Sequence, residues 1–159
     1  MISVASSISR AVLSIPIGRF ADKHSFTKML SLVFGISAIG FIVCGFATPS
    51  NGKIVFTAYA VLHAIAMAGI NSGSINLIYE YYSGENKTGA LAFSHAVSGM
   101  CGFLATLAAS PLVDKIQKDG NVFLGMNLYA QQVISFIAAA IVILIIVYLN
   151  TVVKKLKKE

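Results

Sequence analysis

A few polar and ionisable side chains stand inside long apolar runs of this sequence, where an ion or a polar solute could use them. The candidates are Arg10, Tyr59, His63, Asn71, Asn76 and His95. A guanidinium at Arg10 could hold an anionic group or a carboxylate from another helix, and an imidazole such as His95 can take up and release a proton near neutral pH. Structural roles stay open as well, namely snorkelling of Arg10 to an interface and interhelical hydrogen bonding by the histidines and amides.

The sequence shows no constellation for enzyme catalysis. It contains no HExxH, GxSxG or GxxxxGK[ST] pattern and no paired acids inside an apolar run. Cys44 and Cys101 lie in apolar runs without a CxxC spacing or a Cys/His cluster, so we interpret them as small packing residues. We therefore predict no enzyme activity, no metal site and no cofactor. The missing nucleotide-binding pattern also argues against a primary pump.

The chain that positions these polar groups has the composition of an integral membrane protein. Of its 159 residues, 57% are hydrophobic and 11% are charged, whereas soluble domains carry about 25% charged residues. The net charge of +6 does not indicate nucleic-acid binding, because four of the twelve bases lie in the terminal KKLKKE. A basic tail beside an apolar run is typical of a flank that faces anionic membrane lipid.

Five apolar segments are long enough to cross a membrane as helices, since a helix needs roughly 20 residues for a ~30 Å hydrocarbon layer. They lie at about 1–20, 29–48, 54–79, 89–113 and 128–150, and a basic tail follows at 154–159. None of them alternates apolar and polar residues as a spanning barrel strand would. We therefore predict an all-α, polytopic membrane protein with about five transmembrane helices.

Basic residues in the connecting loops predict the orientation. One side of the membrane holds Arg19, Lys23, Lys28, Lys87, Lys154, Lys155, Lys157 and Lys158. The other side holds Lys53, Lys115 and Lys118. The richer side should be cytoplasmic, which places the C-terminus inside the cell and, with five crossings, the N-terminus outside. Arg10 then lies near the middle of the membrane, where an uncompensated charge costs about 2.5–3.5 kcal/mol or more.

Small and polar residues inside the spans predict how the helices pack. Gly69 and Gly73 form a GxxxG pair, which allows a neighbouring helix to approach closely. A stripe of small residues in the fourth span, expected to be a packing face, comprises Ser94, Ser98, Gly102, Thr106 and Ser110. Polar residues that open the fifth span, and that we expect to face another part of the protein, are Gln131, Gln132 and Ser135.

The segment GRFADKHSFTKML, after the first span, resembles the signature loop of the major facilitator superfamily. That loop has the pattern Gly-x-x-Ala-Asp-Arg-x-Gly-Arg-Arg before the next helix. The matching positions here are Gly18, Ala21, Asp22, Lys23 (in place of Arg) and Leu30. The segment departs from the pattern at Ser25, Phe26 and Thr27. We also expect Asp22 to lie in a loop between two helices, where the start of the second helix would stabilise its carboxylate.

The resemblance implies a position within the family fold. Family members carry this loop after helix two and, in a more degenerate form, after helix eight. Four spans and a basic tail follow it here, so we expect helices eight to twelve, a partial six-helix bundle from the C-terminal half. The resemblance further implies that Asp22 helps to latch a cytoplasmic gate against a helix of the N-terminal half, which this sequence lacks.

The expected function is therefore that of a permease: part of a secondary active transporter, a symporter or antiporter, that moves a small solute by alternating access. The expected partners are the solute, possible coupling protons, membrane lipid and the missing N-terminal half, without which the fragment should be inactive. The expected location is a bacterial plasma membrane. The alternative is a small membrane scaffold or assembly protein that transports nothing and acts through helix packing.

Overall fold

The computed structural model describes residues 12, 15–82, 84–153 and 155 as a helical bundle with one small hairpin. The helices are α1 (residues 15–24), α2 (Phe26–Gly45), α3 (Gly52–Tyr81), α4 (Lys87–Lys118) and α5 (Ala130–Tyr148), which continues into a π-helical turn (Leu149–Val153). An antiparallel hairpin between α4 and α5 is formed by β1 (Val122–Phe123) and β2 (Met126–Asn127). Four of these helices, α2 to α5, are long and apolar enough to cross a membrane, and the all-α polytopic class is confirmed. Arg10 and most of the first predicted span lie outside the described residues.

A single residue, Ser25, separates the first two helices. Its hydroxyl accepts a hydrogen bond from the Lys28 backbone N–H at 3.3 Å and so caps the start of α2. Helix α1 runs past Gly18 as far as His24. The expectation that Asp22 lies in a loop is therefore wrong: Asp22 is in the last turn of α1, where the helix dipole disfavours a carboxylate.

Helices α2 and α3 pack closely because glycines on α3 leave room for side chains of α2. A Cβ atom added at Gly69 would lie 2.5 Å from Cγ1 of Val33, and one at Gly73 would lie 2.7 Å from Cε of Met29. Val33 and Met29 are almost completely buried. The predicted role of this glycine pair in close helix approach is confirmed.

At one end of the bundle, the start of α5 is fastened to the chain that follows α2. Gln132 Nε2 donates to the Ala47 carbonyl at 3.0 Å, and Gln132 Oε1 accepts from the Tyr129 backbone N–H at 3.0 Å. Gln132 and Ser135 are buried, whereas Gln131 is exposed. The expectation that this polar group faces protein outside these helices is thus wrong for Gln132, because its buried amide is satisfied within the bundle.

At the other end, α2, α3 and α5 are joined by two hydrogen bonds. Asn150 Nδ2 donates to Ser31 Oγ at 3.0 Å, and the Tyr81 hydroxyl donates to the Val153 carbonyl at 3.3 Å. Most described basic residues belong to this end, which we call the basic end: Arg19, Lys23, Lys28, Lys87 and Lys155. The opposite end carries Lys53, Lys115 and Lys118. The fold therefore gathers the bases as the loop counts predicted.

Helix α4 is the least packed long helix of the described bundle. Near its C-terminal end, Ile116 is buried with Ala130 and Val133, but no residue is buried in the most apolar stretch of α4. The described helices leave the small-residue stripe uncovered, and a Cβ atom added at Gly102 would meet no atom within 4 Å. Pro111, just before the docked end, lacks the N–H that would bond the preceding turn.

Candidate solute pathway

Two of the predicted candidates meet in a ring cluster where α3 crosses α2. Tyr59 and His63, one turn apart on α3, stack with ring centroids 5.4 Å apart. Phe41 of α2 lies 5.7 Å from the Tyr59 ring and 6.0 Å from the His63 ring. All three side chains are half-buried, so His63 is held against α2. Sequence reasoning missed Phe41, because an aromatic residue in an apolar run carries no signal of its own.

The two amides of α3 lie between this ring cluster and the basic end. Asn76 Nδ2 donates to the Ser72 carbonyl at 2.9 Å, which holds the amide against its own helix. Asn71 is exposed, and its amide makes no hydrogen bond with the residues that the structure describes. It stands ten residues before the end of α3 at Tyr81, or roughly 15 Å at 1.5 Å per residue. Asn71 therefore lies at the depth of the hydrocarbon layer.

His95 lies on α4, apart from the candidates on α3. It is exposed, and no described residue makes a hydrogen bond or a ring contact with it. Thr106, farther along α4, donates its hydroxyl hydrogen bond to the Gly102 carbonyl of its own helix at 2.9 Å. Since Arg10 is outside the described residues, its role in holding an anionic group or a carboxylate stays a prediction.

The family-like segment lies at the basic end and divides into buried and exposed positions. Ala21 is buried in a core with Leu30 and Leu149. Asp22 and Lys23 are exposed, and no ion pair reaches the Asp22 carboxylate from any residue that the structure describes. Asp22 is thus available to a partner on the outside of the described bundle.

The rest of this segment forms an open charged groove. A Cβ atom added at Gly18 would meet no atom within 4 Å. The His24 ring stacks on Phe20 with centroids 4.4 Å apart, and His24 Nδ1 lies 3.2 Å from the Phe20 carbonyl oxygen, to which it can donate. Arg19 and Asp22 line the same groove. An imidazole suits this place because its ring N–H can donate to a carbonyl oxygen in the last turn of the helix.

Comparison with protein families decides the assignment. The family model of the Major Facilitator Superfamily matches residues 1–159. The chain belongs to the Major Facilitator Superfamily. Members of this superfamily are membrane transporters of small solutes, so this is an integral membrane protein of a transporter family. Searches of curated proteins and of solved structures found no match.

Membership in the Major Facilitator Superfamily confirms the resemblance drawn from the segment after the first span. It does not test the individual roles of Gly18, Ala21, Asp22 and Lys23, which stay predictions. The same holds for the polar candidates on α3 and α4. The structure divides these candidates by exposure. The side chains of Tyr59 and His63 pack into the bundle, whereas those of Asn71 and His95 are exposed.

Proposed function

We propose that the protein forms part of the wall of a secondary active transporter that moves a small solute by alternating access. Superfamily membership supports the general class. The sequence contains no GxxxxGK[ST] pattern, which favours an ion gradient, such as a proton gradient, over ATP as the energy source. In this proposal the membrane is a bacterial plasma membrane and the basic end is cytoplasmic.

The observation that supports a path along α3 is the exposure of Asn71 deep inside an apolar helix. An amide that faces lipid without a hydrogen-bond partner costs several kcal/mol, by the order of magnitude of water-to-hydrocarbon transfer. Two neighbours, Ser72 and Ser74, are also exposed. This side of α3 is therefore expected to border water, solute or further polar protein. Polar groups that face a water-filled cavity mark substrate and ion paths in transporters.

The second wall in this proposal is α4, whose small and polar side is uncovered. A path between α3 and α4 would need further helices to separate it from lipid. We propose that the helices of the N-terminal half of the transporter supply this cover and that Asp22 at the basic end contacts them as part of the gate. The described bundle alone is then expected to show no solute uptake in proteoliposomes.

A cysteine at position 71 tests whether this side of α3 borders water. In a Cys101→Ser background the one remaining native thiol is Cys44, which is buried. We expect Asn71→Cys in liposomes to react with a membrane-impermeant thiol reagent, because thiolate forms in water but not in hydrocarbon. If access alternates, the reagent should reach the thiol from either side of the membrane.

The matched control is Ile39→Cys on the outward face of α2, where the native side chain is 56% exposed and apolar. This thiol should face lipid and react far more slowly, by at least about tenfold if thiolate formation is suppressed by one pKa unit. Equal slow labelling at positions 71 and 39 would contradict the proposed path. It would favour the alternative of a scaffold that acts only through helix packing.

Removing the charge of Arg10 tests its proposed role in binding an anionic solute or a partner carboxylate. In proteoliposomes that contain the complete transporter, with an imposed proton gradient, we expect Arg10→Gln to reduce solute-dependent proton uptake by about tenfold or more, since 1.4 kcal/mol corresponds to a factor of ten. Arg10→Lys, which keeps the charge, is the comparison variant. Unchanged kinetics in Arg10→Gln would make the residue structural.

A further inference from the structure

The β1–β2 hairpin is fixed rigidly to the bundle end opposite the basic end. Helix α4 finishes in a Schellman motif, in which the Asn121 N–H donates to the Ile116 carbonyl at 2.8 Å and the Gly120 N–H to the Gln117 carbonyl at 3.2 Å. The Leu128 N–H then closes the base of the hairpin by donating to the Asn121 carbonyl at 2.9 Å. The hairpin is therefore held at a defined position and angle.

The hairpin packs one half-buried aromatic side chain against the bundle and exposes three apolar ones. Phe123 packs against the core around Ile116. Val122, Leu124 and Met126 are 38%, 81% and 56% exposed. A turn of this kind normally has Asn, Asp or Gly at the positions with positive φ. Here Leu124 has φ +50°, so a large apolar side chain occupies a left-handed position at the exposed tip.

The surroundings of the tip match the boundary between lipid headgroups and acyl chains. The hairpin follows the last turn of α4 and precedes the first turn of α5, both of which are membrane-spanning helices by length and composition. Lys115 and Asp119 line one groove with Val122 and Leu124. A lysine beside apolar side chains can meet a lipid phosphate while its neighbours enter the acyl region, and Asp119 leaves room for a cationic headgroup group.

We propose that the hairpin tip, defined as Val122, Leu124 and Met126, inserts into the phospholipid interface and anchors this end of α4 and α5. The tip joins two helices that also carry exposed apolar side chains, among them Leu107 on α4 and Phe136 on α5. This inference rests on the membrane location of the helices and is independent of whether the protein transports a solute.

Tryptophan fluorescence tests the insertion directly, because the native chain contains no Trp. Leu124→Trp in phosphatidylcholine vesicles should show blue-shifted emission and loss of most quenching by aqueous iodide. Lipids brominated near the carbonyl end of the acyl chain should quench it more strongly than lipids brominated near the chain terminus. Met126→Trp, on β2 and free of the positive φ, is the second variant and should behave in the same way.

Ser50→Trp is the matched control, since Ser50 is exposed in the polar turn after α2 at the same end of the bundle. Its emission should be that of a residue in water, with full iodide quenching and little quenching by brominated lipid. Water-like emission and full iodide quenching in both hairpin variants would overturn the proposal. So would protection from iodide that falls as the protein is diluted in lipid, because it would assign the tip to contact with a second copy of the chain.

Discussion

Replacing Gly69 with leucine should destabilise the helical bundle more than any other single change on the α2–α3 crossing. Its Cβ atom would lie 2.5 Å from Cγ1 of Val33 and 3.1 Å from Cγ2 of Ile17, so two helices would have to move apart. Overpacking of this kind costs about 1–3 kcal/mol and occasionally more, which corresponds to roughly 2–12 °C in melting temperature for a chain of this size. Thermal unfolding in detergent measures the fall in melting temperature. It is followed through the reactivity of the buried Cys44 thiol in a Cys101→Ser background.

Gly99→Leu is the control for the intrinsic effect of leucine in a helix. A Cβ atom at Gly99 meets nothing within 4 Å, and leucine has a better helix propensity than glycine by up to about 1 kcal/mol. This variant should therefore melt at the native temperature or slightly above it. A Gly69→Leu protein that melts together with Gly99→Leu would show that the close crossing of α2 and α3 does not limit stability.

The features that the sequence predicted correctly are those set by local or one-dimensional patterns. Helix class and number follow from the length of the apolar runs. The Gly69 and Gly73 pair is similarly visible, because spacing alone places both on one helix face. Each of these inferences involves residues close together in the chain.

The features that the sequence did not predict depend on which helix lies beside which. From the sequence, Gln132 is expected to face protein outside these helices, because the Ala47 carbonyl that it binds lies 85 positions earlier in the chain. Phe41 joins His63 and Tyr59 only because α2 and α3 cross at that height. The hairpin was missed because Leu124 stands at a turn position where Asn or Gly would have marked it.

The described bundle has two parts, which differ in how firmly their helices are held to the rest. Helix α5 is joined to α2 by hydrogen bonds near both ends. Helix α3 is joined to them by a hydrogen bond at the basic end and by glycine-mediated packing against α2. Helix α4 is docked near Ile116 and is open along its apolar length. The candidate residues follow the same division, since the packed Tyr59 and His63 belong to the first part and His95 to the second. A path between α3 and α4 would thus have one restrained wall and one that depends on further partners.

Replacing Gln132 with methionine should destabilise the bundle by an amount comparable to that of Gly69→Leu. Methionine keeps the length and shape of the side chain but can neither donate to the Ala47 carbonyl nor accept from the Tyr129 N–H, so two polar groups lose their partners. Ala47 is 0% exposed, and an unsatisfied buried group costs about 1–3 kcal/mol. We expect the loss of both partners to lower the free energy of unfolding by about 2–4 kcal/mol. The same thermal unfolding experiment, followed through Cys44 reactivity, measures it.

Gln131→Met, one position earlier, separates this loss from a general effect of methionine at the start of α5. Gln131 is exposed, and exposed substitutions away from special features usually change stability by less than about 0.5 kcal/mol. A large difference between the two variants would assign the loss to the buried Gln132 amide and its two hydrogen bonds, with the Ala47 carbonyl and the Tyr129 N–H. Equal melting of Gln131→Met and Gln132→Met would instead mean that α5 is held to α2 by apolar packing, with Phe136 beside Gly45 as its main contact.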